Sequence, residues 1–181
     1  MKNKTSRHTH PIAPIYDENS KVLILGSFPS VKSREDNFYY AHKQNRFWKV
    51  LATIFGTDVP LEEKQKADFL LFHQIALWDV IRECDIIGSS DSSICNAVVN
   101  DISIITERAN IDAIFLNGKT AEKLYNKYLY PKTNIKTYVL PSTSPANASY
   151  SFDMLLKQWL KIRDFLCTNS ESNLLRENSV L

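Results

Sequence analysis

The chain has 181 residues, 44% hydrophobic, 23% charged and 11% aromatic, which suits one folded domain with a sizeable core. A formal net charge of +2 neither marks nor excludes a nucleic-acid binder, but any such binding needs its cations gathered on one face. Three cysteines without a C-x-x-C spacing argue against a disulfide framework or a zinc site, and no apolar run reaches membrane-spanning length, so a reducing cytoplasm is expected.

In chain order, residues 1–10 (MKNKTSRHTH) read as a flexible polar tail, and its His8 and His10 as no metal site. "KVLILG" (21–26) is an apolar run closed by Gly26, as for a strand buried on both faces. Phe47, Trp48, Leu51, Ile54 and Phe55 fall at helical spacing, and Gly56 stops that helix. "LEEKQKADFLLFHQ" behind Pro60 is a second helix, and "IALWDVI" (75–81) returns as a strand. Asn100 or Asp101 caps a helix carrying Ile102, Ile105 and Ala109. "DAIFLNG" (112–118) is a strand followed by the helix "KTAEKLYNKYL", and "KTYVLPS" is a fourth strand. A last helix over about 151–167 puts Phe152, Leu155, Leu156, Trp159, Ile162 and Leu166 on one stripe. Residues 168–181 read as a weakly ordered tail. Strands alternating with helices predict parallel pairing. The expected fold is therefore a three-layer α/β/α sandwich over residues 11–167, with a mainly parallel sheet of about four strands.

Open parallel sheets bind ligands at the carboxyl ends of their strands. Those ends carry "GSFPS" (26–30), "LWD" (77–79), "LNGK" (116–119) and "LPSTSPANA" (140–148), and the stretch "FYYAHKQNRFWKV" (38–50) follows the first. Each has a plain structural alternative. "NGKT" lacks the glycine of a phosphate-binding loop, since Ala113 stands in its place; "GSFPS" lacks dinucleotide spacing; "PSTS" is not a nucleophile elbow. Phe47 and Trp48 belong to a core stripe, and His73 to a helix. His42 has a capping role open to it, Asn117 a turn role, Asp79 a solvent or cap role, and Lys32, Arg34, Lys43 and Arg46 a solvated-face role. Tyr40 lies in a loop where nothing demands a core aromatic, so a π-face for a planar ligand is the better reading.

"GSFPS", "FYYAHKQNRFWKV" and "LPSTSPANA" together resemble the uracil-DNA glycosylase superfamily, nearest its hypoxanthine-DNA glycosylase group, from about Pro11 to Cys167. "HKQNRFWKV" is the most specific piece. Two departures matter. Where members commonly place Asp or Asn at the third position of the first motif this chain has Phe28, and where they usually have a second-motif histidine it has Leu140. The hypoxanthine-specific group shares the first departure and has an asparagine at the place of Asn45.

The resemblance implies a monofunctional DNA glycosylase that flips out a deaminated base, most simply hypoxanthine, and hydrolyses its N-glycosidic bond without metal or organic cofactor. It assigns Asn45 and His42 to catalysis. Gly26, Ser27, Phe28, Tyr40, Trp78, Asp79 and Asn117 are assigned to the base. Ser30, Lys32, Lys43, Arg46, Ser142, Thr143, Ser144 and Asn147 are assigned to DNA. The expected partner of this monomer is double-stranded DNA bearing a deaminated base, with single-stranded DNA as a second form and no membrane. The alternatives are a mismatch-directed uracil or xanthine glycosylase and a non-catalytic nucleic-acid-binding module.

Overall fold

A computed structural model of the chain describes residues 5–130 and 133–177. In order it forms β1 (Ser6–Thr9), β2 (Val22–Gly26), α1 (Val31–Glu35), α2 (Phe47–Phe55), α3 (Glu63–Phe72), β3 (Ile75–Asp79) and β4 (Ile81–Ile86). A 3-10 turn at Asp91–Ser93 follows, then β5 (Cys95–Val99), α4 (Ser103–Thr106), β6 (Ala113–Asn117), α5 (Lys119–Tyr128), β7 (Lys136–Leu140) and α6 (Phe152–Glu177).

The apolar runs at β2, β3 and β6 are buried at every position, and they form the centre of a four-stranded sheet ordered β3-β2-β6-β7. Every pairing in it is parallel. From β2 the chain steps outward to β3, then crosses back over β2 to β6. Crossovers are right-handed, so this reversal covers both faces with helices and opens a crevice where the carboxyl ends of β2 and β6 part. On one side α2 packs on α6, with Phe47 edge-on to Trp159 at 5.7 Å. Gly56 ends α2 at φ +69°, the left-handed C-cap its sequence predicts. The α/β/α reading with four parallel strands therefore holds.

Four expectations need correction. The predicted tail at 1–10 is not free where the structure describes it: β1 pairs antiparallel with β4, Arg7 facing Asp85 and His8 facing Cys84. Residues 1–4 lie outside the described residues. With β5 these strands make a second, antiparallel sheet ordered β1-β4-β5. The predicted strand 75–81 divides at Val80, where buried Asn100 donates its amide to the carbonyls of Asp79 and Ile81 and holds the bend. Register shifts along β4 and β5 break the alternation that would have announced them. The helix expected around Ile102–Ala109 is reduced to Ser103–Thr106, and α6 runs on to Glu177 through most of the second predicted tail, whose last four residues lie outside the described ones.

Candidate active site

A cavity of about 770 Å³ opens at the carboxyl ends of β2 and β6. Its walls are the turn after β2 (Gly26–Ser30), Tyr39 and Tyr40, Asn45 ahead of α2, Asp79 at the end of β3, and the Ser89–Ser92 segment. The start of α5 and the loop after β7 complete it. Tyr40 and Asn45 from one loop, Asn117 from the end of β6 and Ser142 from the loop after β7 meet on this one surface.

Tyr40 reaches it through a left-handed backbone, φ +52°, which turns the chain sharply ahead of α2. Its ring stacks on buried Phe47, centroids 3.9 Å apart and planes 19° from parallel, so one face is covered while the ring lines the cavity. Asn117 is not an open amide. Its Nδ2 donates to the Tyr40 hydroxyl at 3.0 Å and to Thr143 Oγ1 at 3.2 Å, and its Oδ1 accepts from the Thr143 N–H at 3.1 Å. Both hydrogens are thus occupied, and the residue assigned to base reading instead joins the Tyr40 wall to the loop after β7. Burial, then the field of Asp79, pushes the hydroxyls of Tyr39 and Tyr40 well above the usual phenol range, so both remain protonated.

Gly26 stands opposite Asp79 in the β2–β3 register. A Cβ there would fall 2.1 Å from Asp79 Oδ1 and 2.9 Å from the Tyr40 hydroxyl, so only glycine admits both oxygens over this strand end. Asp79 is 4% exposed, and its Oδ2 is 2.9 Å from His10 Nε2. The Ile12 N–H donates to the other ring nitrogen of His10, so the imidazole carries its proton on Nε2 and donates it to the carboxylate. His10, read from sequence as part of a loose tail, is the partner that fixes this carboxylate.

A second carboxyl group lines the same cavity. Asp91 accepts bonds from Ser27 Oγ to both of its oxygens, at 3.0 and 2.9 Å. Burial pushes it up to about 6, with the Ser27 bonds opposing and the Asp79 charge reinforcing. Asn45, which lines the cavity, accepts at Oδ1 from the Phe47 N–H at the start of α2, while its Nδ2 has no partner among the described residues. Phe28, 7% exposed, sits edge-on to the His10 ring at 6.0 Å and under the Arg34 guanidinium at 5.5 Å.

The family model for the uracil DNA glycosylase superfamily matches residues 13–165. The chain belongs to that superfamily. Among curated relatives it is 34% identical to a hypoxanthine DNA glycosylase of Methanosarcina barkeri (strain Fusaro / DSM 804), over 74% of this chain and 85% of the relative. It is 36% identical to the hypoxanthine DNA glycosylase of Methanosarcina acetivorans, over 76% and 87%. A solution NMR structure from Methanosarcina acetivorans, described as a candidate uracil DNA glycosylase, superposes with a TM-score of 0.71 at 30% identity, covering 84% of this chain and 96% of that one.

Within this glycosylase fold several predicted DNA contacts turn inward. The Arg46 guanidinium donates to the carbonyls of Thr143, Ser144, Asn147 and Tyr150, and its backbone N–H bonds the Thr143 carbonyl. Arg46 is therefore a latch that pins the serine-rich loop to the front of α2, not a free cation. Thr143 is fully buried, and Asn147 donates back to the Ser142 carbonyl inside the same loop. Ser142 and Ser144 remain on the cavity wall, the Ser142 hydroxyl accepting from the Ser144 N–H. Ser30 caps α1, and Lys32 is paired with Asp36 at 2.6 Å.

Five assigned residues do not line the cavity: Lys32 and Arg46, whose partners are given above, and Trp78, His42 and Lys43. Trp78 precedes Asp79 on β3, and successive strand side chains point to opposite faces, so its indole is buried in the sheet, where its N–H has no partner among the described residues. His42 is exposed, and its Nδ1 accepts from the Gln44 N–H, which shapes the turn before α2. Lys43 is exposed beside it. Sequence reasoning missed His10, Asp91 and the Ser89–Ser92 wall. The only signal for Asp91 and its neighbours was the small, polar run "GSSDSS", which reads as an ordinary loop.

Proposed function

We propose that this protein is a monofunctional DNA glycosylase that excises hypoxanthine from duplex DNA containing deoxyinosine, acting as a monomer in the cytoplasm. Membership of the superfamily and the names of the two archaeal relatives support the reaction class. One observation carries the base: a buried carboxylate, Asp79, held by His10 at the wall of a cavity large enough for a nucleobase. Hypoxanthine presents a donor at N1 beside an acceptor at C6, whereas adenine presents a lone pair at N1. Asp79 accepts the N1–H of hypoxanthine and repels the N1 of adenine. The N–H of Phe28, which carries no hydrogen bond among the described residues, faces the growing negative charge on the base carbonyl.

Extrusion from the helix costs a few kcal/mol, and the uncovered face of Tyr40 offsets part of it by stacking. Asn45 positions the water or the sugar through its open Nδ2. An amide is a poor base, and the Phe28 side chain offers no hydrogen-bonding group, so the C1′–N9 bond breaks well before water attacks, with little proton abstraction. Residues near Ala146 and Tyr150, tied down by Arg46, fill the gap left in the duplex.

Asp79 would equally accept the N3–H of uracil or the N1–H of xanthine, and this observation favours the mismatch-directed uracil or xanthine glycosylase as the second reading. Duplexes bearing hypoxanthine, uracil, xanthine or adenine, incubated with enzyme and then cleaved by alkali, separate the two. Hypoxanthine should be released fastest and adenine not at all. Preferential release of uracil would replace this reading with the second, and strand cleavage before alkali would refute the monofunctional assignment.

A further inference from the structure

We propose that Asp91 is a second catalytic residue of this site, delivering a proton to N7 of the departing purine as the glycosidic bond breaks. The proposal rests on the glycosylase reading and deepens it by supplying what the cavity otherwise lacks. A purine leaving as an anion needs a cation or a proton. Lys119 is the one cation among the described lining residues, and it is exposed and paired with Glu122 at 3.0 Å. β7 ends in Leu140, with no charge, where a second-motif histidine would stand.

The geometry places Asp91 where a donor is required. Ser27, which holds both of its oxygens, directly follows Gly26, over which Asp79 sits. The two carboxyl groups thus address adjacent residues of one strand end, as N1 and N7 flank the C6 carbonyl on one edge of hypoxanthine. Their surroundings also separate their roles. Asp79 receives a proton donor from His10, whereas Asp91 receives only a serine hydroxyl and is raised to about 6, close to a working pH, where general acids are most effective. The other ionisable groups lining the cavity are Tyr39 and Tyr40, held neutral, and the exposed Lys119 paired with Glu122.

In the step, the electron pair of C1′–N9 passes to the base while the Asp91 proton passes to N7, so hypoxanthine leaves neutral. Water then joins C1′, and its released proton returns through solvent to Asp91.

The test is single-turnover excision from deoxyinosine and 7-deaza-deoxyinosine duplexes between pH 5 and 9, for the parent and Asp91→Asn. The parent rate should fall as pH rises above about 6. Asp91→Asn should be about 100-fold slower on deoxyinosine with a flat profile, and the two proteins should be equally slow on the 7-deaza substrate. If Asp91→Asn matches the parent in rate and profile, the proposal falls and the glycosylase reading stands. A slower variant that retains the parent's pH profile and its preference over the 7-deaza substrate has lost only structure, and that also overturns the proposal. Should the parent release no hypoxanthine at any pH, the glycosylase reading falls and the proposal with it.

Discussion

Asn45 lines the cavity while its Oδ1 accepts from the Phe47 N–H at the start of α2, which leaves Nδ2 for the proposed role on the water or the sugar. Asn45→Ala should therefore lower stability by about 1 kcal/mol, the usual net worth of one lost hydrogen bond, yet slow hypoxanthine release about 100-fold. Thermal melts and single-turnover rates measure the two separately. A rate unchanged from the parent would remove Asn45 from the mechanism. Asp91 couples stability to pH in the opposite sense from an ordinary ion-paired carboxylate. Its folded value of about 6 lies above the 3.8 of a free aspartate, so its contribution is fully present below about 4 and is lost as pH rises through 6. Asp91→Asn should melt higher than the parent at pH 7.5, with the gap closing by pH 4. Asn45 and Tyr40 were legible in the sequence because one unusual stretch carries both. His10 and Asp91 were not, since each draws its meaning from a partner 69 or 64 residues away, and their flanks are as polar as any loop.

At the level of elements, the parallel sheet was readable because β2, β3 and β6 are short apolar runs buried on both faces. The second sheet was hidden by the charged residues and broken register of β4. That sheet bears on the site, since pairing of β1 with β4 delivers His10 to the end of β3. The sequence of the loop after β7 did not reveal what orders it either. Four of its carbonyls converge on Arg46, across about a hundred residues of chain. Arg46→Ala should cost about 2–3 kcal/mol, because it leaves a half-buried set of acceptors without their charged donor. Lysine should restore only part of this, since an ammonium lacks the planar fork. Melting temperatures of Arg46→Ala and Arg46→Lys test the latch, and equal stability of Arg46→Lys and the parent would argue against it.

For the whole molecule, a net charge of +2 takes on meaning once its cations are located. Two of the residues expected on DNA are occupied internally, Lys32 by Asp36 and Arg46 by the loop carbonyls. Few phosphates can then be neutralised, so the logarithm of DNA affinity should fall with the logarithm of salt at a slope of about −2 to −4. Titrations between 50 and 200 mM salt read this directly, and a slope near −8 would reveal a basic surface elsewhere. The Arg46 latch has a further consequence for selectivity. A rim fastened this way yields little, so most of the bending must come from the double helix. Lesions that already stack or pair poorly should then be captured sooner than those snug in a Watson–Crick-like fit. The choice of which nucleotide to repair would begin in the mechanics of the DNA, before any atom of the base is recognised.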